Sequence, residues 1–398
     1  MTRLSRYLLL ALALLVLLLL ALPLTAPGNR LLFGMVDRFT PLKIEYRGGS
    51  LAGRLQLARL AFDAGGIALE LSDLHAELAP GCLWRSTICL RELSAGRVDL
   101  AVAGGDDDGD TEPEAGGGMI ELPVRVEVEN LTVGAVNVSW PGGSWRQGQL
   151  RATLELGGSR VMVGAAAEED GRHELHETGE PQEPPAGDIV LPPIALPLEL
   201  VVDPLTLNNP SWDAYGTQQG HRAIVLRARW RGSDLQIEQL EASTVEWGEL
   251  ALRGELQFSG DWPMQVSVKA ALEQPPLHAL LHGRVLNLDV EGALSGLQVN
   301  ATSPGRPAVL LSGEVDLLDP AMPFAANLDA EWSDGLALSD LLELPETVRD
   351  IELASPLRLD ARGSLSEQVL SVQGGASGLG YETLDISLHA RQGDARLT

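Results

Sequence analysis

Residues 250–270, LALRGELQFSGDWPMQVSVKA, read as two strands joined by a turn. Leu250, Leu252, Gly254, Leu256 and Phe258 fall on one side of the first strand, and Ala251, Arg253, Glu255 and Gln257 on the other. That is the two-residue period of a pleated strand with one face in water. Ser259-Gly260-Asp261 supplies turn chemistry, Trp262-Pro263 follows, and Met264, Val266, Val268 and Ala270 resume the apolar side against Gln265, Ser267 and Lys269.

The pattern spreads outward in both directions. Downstream it recurs at Leu286, Leu288 and Val290, at Leu311, Gly313 and Val315, and at Leu384, Ile386 and Leu388. Upstream it recurs at Ile224, Leu226 and Ala228, at Leu150, Ala152 and Leu154, and at Val98, Leu100 and Val102. An internal echo is visible: LRGELQFSGDWPMQVSVKA and LSGEVDLLDPAMPFAANLDA align with one inserted residue, Gly254 answering Gly313 and Pro263 answering Pro323. Repeats of this kind imply a sheet that grows by stacking similar units. Leu336 to Pro345, LALSDLLELP, interrupts the alternation and reads as one or two turns of helix.

Composition agrees with many short strands. Aromatic content is 4%, glycine reaches 43 residues, and the formal net charge is -26. Binding to a nucleic-acid backbone needs clustered Lys and Arg, so nucleic acid is excluded as a partner. Residues 104–118 and 164–187 together carry 13 of the acidic side chains, which marks both as acidic, solvated linkers. Within the first, Asp106, Asp107, Asp108 and Asp110 suggest calcium but lack the spaced positions and terminal Glu of a calcium loop. Within the second, His173, Glu174, His176 and Glu177 suggest a metal, yet the histidines are three apart rather than the four of H-E-x-x-H, so no metal and no cofactor is expected. No G-x-S-x-G, P-loop or convincing His/Cys/Asp cluster appears, and the chain reads as non-enzymatic.

At the N-terminus, Arg3 and Arg6 precede an apolar run from Tyr7 through Leu15 to Leu24. Its 18 residues give roughly 27 Å of helix, close to the thickness of a bilayer's hydrocarbon. A signal-anchor with a cytoplasmic N-terminus is the leading reading and a removed signal peptide the alternative; under both, the remainder is exported. Leu31, Leu32, Met35, Val36 and Phe39 then fall at helical spacings up to Pro41. In an exported chain Cys82 and Cys89, the two cysteines of PGCLWRSTICLREL, read as a structural disulfide pinning a hairpin.

These readings divide the chain into a transmembrane anchor (1–27), a short juxtamembrane helix (28–40), a first β block with the cysteine hairpin (41–103), an acidic linker (104–118), a β block (119–163), an acidic Pro-rich linker (164–190) and a repetitive β block (191–398). The fold class is mainly β. About twenty strands at ~4.8 Å would make a sheet roughly 100 Å long. With no long amphipathic helices to cover its apolar face, such a sheet has to close or fold lengthwise around an apolar groove. Leu252, Leu256, Phe258, Val266, Val268, Leu288, Val290 and Val315 are the candidate groove wall, open to lipid acyl chains.

The order of features resembles the N-terminal part of the TamB family, within the AsmA-like group of bridge-like lipid transport proteins. The residues that carry the resemblance are the N-terminal anchor, CLWRSTIC, the acidic interruptions, and GELQFSGDWPMQVSVKA followed by LDVEGALSGLQVNA and LSGEVDLLDPAMPF. The resemblance implies a folded-over β-sheet with an apolar groove, reaching through the periplasm from the bacterial inner membrane to an outer-membrane barrel, TamA. It also implies roles in outer-membrane protein assembly and in phospholipid transport between the membranes. The chain stops at Thr398 in mid-alternation, where family members are much longer, so a truncated C-terminal end and a missing TamA contact are expected. The alternative is a periplasmic chaperone that offers a sheet edge to nascent outer-membrane strands without conducting lipid.

Overall fold

The computed structural model describes residues 25–64, 67–102, 119, 121–140, 143–169, 171–177, 187, 189–214, 217–244, 248–273, 281–333, 336–337, 351–378, 381–391 and 394–397. The anchor residues Tyr7, Leu15 and Leu24 lie outside these, as does the acidic run with Asp106, Asp107, Asp108 and Asp110. Among the described residues no helix is long and apolar enough to cross a membrane.

A helix, α1 (Ala26–Phe39), covers most of the span over which the sequence suggests a short helix. Thr25 caps it, its hydroxyl oxygen accepting from the Gly28 N–H, and Pro27 occupies the first turn, where its missing N–H costs nothing. Beyond Pro41 the described chain is strand and turn, and contact clustering divides it into two units.

The first unit holds β1 (Leu42–Gly49), β2 (Arg54–Ala64), β3 (Ile67–Ala79), β4 (Thr87–Ala95), β5 (Arg97–Val102), β6 (Leu122–Val133), β7 (Val136–Trp140), β8 (Gly143–Gln147), β9 (Leu150–Gly158), β10 (Arg160–Glu169), β11 (Arg172–Glu177), β12 (Leu196–Asn208) and β13 (Ser211–Ala214). β14 (Thr217–Gly232) straddles the boundary. β10 and β11 correct one expectation, because residues 164–169 and 172–177 are strand where an acidic linker is read from the sequence. A single 3-10 turn, Pro80–Arg85, joins β3 to β4, and the Cys82–Cys89 disulfide closes over it with Cα atoms 5.8 Å apart.

Neighbour by neighbour, the twelve strands β3 to β14 close a ring, the connectivity of a twelve-stranded barrel, where an open lengthwise groove was expected. Register shows how the ring is made. β4 and β5 lie end to end on one edge of β3, with Ser94 opposite His75 and Arg97 opposite Ser72 in unbroken register. β6 and β7 continue each other likewise beside them, Arg125 pairing with Thr87 and Val136 with Val98 at one offset. The rows β8–β9, β10–β11 and β12–β13 repeat the arrangement.

Each row breaks at the same level, along a crease. Gly96 interrupts the first, and its N–H still reaches the Ser72 carbonyl at 2.9 Å. Gly134 interrupts the second, and a Cβ there would stand 2.5 Å from the Gly96 carbonyl oxygen. Gly148, Gly171 and Asn209-Pro210 mark the next breaks, with the Ser211 N–H bonded to the Gly171 carbonyl and the His221 N–H to the Pro210 carbonyl. On β3 the crease falls at Asp73, held at a positive φ of 49°.

Four pairings, β4–β6, β5–β7, β10–β12 and β11–β13, are parallel. Parallel neighbours need a crossover of a dozen or more residues. The two acidic segments supply the connections, since residues 103–121 join β5 to β6 and 178–195 join β11 to β12. From the end of the β4–β5 row back to the level of Thr87 is roughly 50 Å at ~3.3 Å per residue. The length of the first segment is therefore set by the row it has to retrace.

The second unit is a plain antiparallel ladder: β15 (Asp234–Thr244), β16 (Glu249–Gln257), β17 (Met264–Ala271), β18 (Val285–Gly292), β19 (Leu297–Ser303), β20 (Ala308–Val315), β21 (Phe324–Glu331), β22 (Leu336–Ala337), β23 (Glu352–Gly363), β24 (Gln368–Gly378), β25 (Tyr381–Arg391) and β26 (Asp394–Leu397). The short strand β22 replaces the start of the helical turn read at Leu336; residues 338–350 lie outside the described residues. The internal echo is a real structural repeat. Trp262 and Met322, each before a proline, both take positive φ, at 49° and 46°. The Pro263 carbonyl accepts from the Gln257 N–H at 2.9 Å, and the Pro323 carbonyl from the Asp316 N–H at 3.0 Å. The segment before β12 runs along these turns, the Ile194 N–H bonding to the Phe258 carbonyl and the Ile189 N–H to the Leu318 carbonyl.

Two outcomes are expected. Replacing both cysteines with alanine removes a short closed loop and is expected to cost about 2–3 kcal/mol, seen as a lower unfolding midpoint and earlier proteolysis near Trp84. Gly134→Ala forces a shift at the crease and is expected to cost roughly 1–3 kcal/mol, while Gly220→Ala, with open space around it, stays close to neutral in the same denaturation series.

Candidate apolar binding face

Directly paired residues of antiparallel strands point to the same side. The second unit therefore sorts its side chains into long cross-strand rows. Leu252 pairs with Leu240 on one side and Val268 on the other, and Val268 pairs with Leu288. The row continues through Ala301, Leu311, Leu328, Leu359 and Val372 to Leu388, crossing ten strands without a charged residue. Beside it runs a second apolar row through Ile237, Gly254, Val266, Val290, Val299, Gly313 and Ala326. Gly254 is required there, because a Cβ would sit 2.5 Å from the Gln265 carbonyl oxygen.

Seven of the eight residues read from the sequence as groove wall fall in these rows or next to them. Leu252, Val268 and Leu288 share the first row, Val266 and Val290 the second, and Leu256 faces Met264 one step further along. Val315 pairs with Phe324 and Leu297, on the turn side of β20. Phe258 is placed differently: it lies beyond the end of β16, its ring 5.2 Å from Trp230 and 5.1 Å edge-on from Trp262. There it belongs to an aromatic plug at the turn end. The wall residues are half-buried, and Leu250 and Leu384, on the same face, are 37% and 45% exposed.

The opposite face is polar in the same registers. Ser267 donates to Asp289 at 2.6 Å, and the Arg358 guanidinium meets Asp329 at 2.8 Å. Such exposed pairs contribute little energy, but they fix which side faces water. In the first unit Leu57, Leu74, Val128, Val133 and Leu207 are buried.

The histidine segment holds what the sequence reading missed. His173 is 1% exposed, stacked on Trp212 at 4.2 Å and nearly parallel to Trp145 at 6.0 Å. Its Nε2 lies 3.1 Å from Glu168 Oε2, which also accepts from Gln147 at 3.2 Å. Glu168 is 2% exposed, and its Oε1 and the His173 Nδ1 have no hydrogen-bond partner among the described residues. The cluster sits on the crease beside Gly148 and Gly171, where a Cβ on Gly171 would collide with Glu168. Among the described residues no group of three or more His, Cys, Asp or Glu side chains is placed to hold a metal. The available signal was Val161 and Val163 alternating into the supposed linker, with His173 and Leu175 continuing the period.

A mainly β chain assembled from repeated strand pairs, apolar along one side of ten neighbouring strands and polar along the other, defines a repeat-built β-sheet protein with an extended apolar face. The family model for the TamB N-terminal domain matches residues 14–398, and the chain belongs to that family. It is 21% identical over 383 residues to the translocation and assembly module subunit TamB of Haemophilus influenzae. The match covers 87% of this chain and 28% of that protein's length. No solved structure matches the chain.

His221, whose backbone N–H bonds to the Pro210 carbonyl at the crease, has its pKa lowered from the ordinary 6.5 by burial first and by the neighbouring His173 second. The unfolded chain then takes up that proton more readily than the folded one. The associated stability is intact above about pH 6.5 and is lost progressively as the pH falls from there toward the lowered value. Unfolding midpoints measured from pH 8 to pH 5 are expected to fall, and His221→Gln to fall less steeply across that window.

Proposed function

We propose that this chain is the membrane-proximal, strand-built part of a TamB-type protein that serves outer-membrane protein assembly and passes phospholipid between the inner and outer membranes. Family membership and the name of the Haemophilus influenzae relative, a translocation and assembly module subunit, support the assembly role. The observation that carries the lipid role is the row from Leu240 to Leu388, an unbroken apolar track across ten strands. An acyl chain laid on such a track exchanges water for wall at about 0.8 kcal/mol per methylene. Repeated Leu, Val and Ala give similar affinity at successive positions, which suits movement, since one deep well would hold the lipid in place. The headgroup stays in water, and the protein supplies no covalent chemistry.

In this reading Tyr7–Leu24 anchors the chain in the inner membrane, the remainder lies in the periplasm, and the outer-membrane partner is the barrel TamA. A second reading, in which a sheet edge pairs with nascent outer-membrane strands, draws on β1, which pairs only with β2 among the described residues. Lys43, Glu45 and Arg47 alternate along β1, and charge on an edge disfavours such pairing.

Photo-crosslinking residues at Leu252, Leu288 and Val315, followed by mass identification of the adducts, are expected to capture phospholipid; adducts with outer-membrane polypeptides alone would replace lipid conduction with the edge-pairing reading. Leu256→Asp is expected to abolish lipid adducts along the row, and Leu256→Val to leave them within about twofold.

A further inference from the structure

Helix α1 has two apolar sides, and the fold uses one of them. Leu32, Phe33 and Val36 are half-buried toward β1, where the Phe33 ring lies 5.6 Å from the Tyr46 ring and the Arg30 guanidinium 5.9 Å from the same ring. On the other side Leu31, Met35 and Phe39 recur every fourth residue and are 55%, 51% and 75% exposed. A Cβ added at Gly34, between them, would meet nothing within 4 Å. Three large apolar side chains in one stripe on a well-capped helix are costly in water unless something covers them.

Two features of the chain say what covers them. The apolar run Tyr7–Leu24 ends immediately before the N-cap Thr25, so α1 starts where the sequence leaves a stretch long enough to span a bilayer. Charge is the second. The chain carries a net -26, yet residues 25–47 contain Arg30, Arg38, Lys43 and Arg47 against only Asp37 and Glu45. This local positive excess is matched to anionic headgroups, whereas the rest of the chain is repelled by them.

We propose that α1 lies in the plane of a lipid surface, with Leu31, Met35 and Phe39 in the boundary between headgroups and acyl chains and the flanking basic side chains among the phosphates. This is the geometry of an interfacial amphipathic helix, about 21 Å long for 14 residues. Because Phe33 packs on Tyr46, the helix then fixes the height and tilt at which the first strands leave the membrane. The inference stands apart from lipid conduction by the second unit, since a helix can lie on a surface whether or not the sheet carries lipid.

The test uses the full chain reconstituted into vesicles of phosphatidylcholine and phosphatidylglycerol. Both native cysteines are tied in the disulfide, so a single introduced cysteine takes an environment-sensitive nitrobenzoxadiazole label. Labels on Leu31→Cys, Met35→Cys and Phe39→Cys are expected to shift to the blue and to be quenched by spin-labelled lipid. A label on Arg54→Cys, on exposed β2, is expected to remain in water. Retention of the disulfide and of the native proteolysis pattern identifies folded variants. If the three helix labels stay water-like and accessible to aqueous iodide, the proposal is overturned. It is equally overturned by a blue shift that lipid quenchers leave untouched and that grows with protein concentration, which would assign the stripe to a second copy of the chain.

Discussion

Register is the constraint on which the rest of this structure depends. Side chains alternate along every strand, so a slip of one residue between β16 and β17 would move Val266 and Val268 into water and bring Gln265 and Ser267 onto the apolar side. The cost would be repeated at each later strand. The turns hold against this: Trp262 and Met322 sit at positive φ before a proline, and the Pro263 and Pro323 carbonyls close equivalent hydrogen bonds. Gly254 takes a position where the neighbouring backbone comes too close for a side chain, and a Cβ at Gly313 would stand 3.0 Å from the Ala325 carbonyl oxygen. The continuity of the apolar rows is thus a product of turn chemistry as much as of hydrophobicity.

The first unit meets the same constraint with a more complex chain path. Its rows are interrupted at one level, and small or turn-forming residues stand at the interruptions because the backbones approach each other there. Gly96 and Gly134 are neighbours across a parallel pair, although 38 residues apart in the chain. Parallel pairing also explains the two acidic segments, which have to travel the length of a row before the next strand begins. Their composition carries no trace of that geometric task.

That difference decides what could be read from the sequence. In the second unit, where every described pairing is antiparallel and local, alternation was enough to identify most strands, the apolar face and the repeat, and most of the residues read as groove wall share that face. In the first unit, the pairing order depends on contacts between distant segments, and neither the parallel pairs nor the ring of twelve strands has a signature in composition. Phe258 was assigned by its parity, but the two tryptophans beside it draw it out of the wall. His173 and Glu168 were hidden by a Glu- and Gly-rich neighbourhood that looks solvated, although both side chains are buried between indole rings and glycines.

The repeated turn also bears on how such a sheet changes length over time. Gly254 and Gly313 occupy equivalent positions on β16 and β20, so one repeat spans four strands, an even number. Duplicating or deleting an even set of antiparallel strands returns the chain to the same end of the sheet, travelling in the same direction, with its apolar side unchanged. An odd set would reverse the exit and strand the following segment at the wrong end. Length in this architecture is therefore quantised in hairpins, and a gene can lengthen or shorten the protein by whole repeats without disturbing the strands on either side.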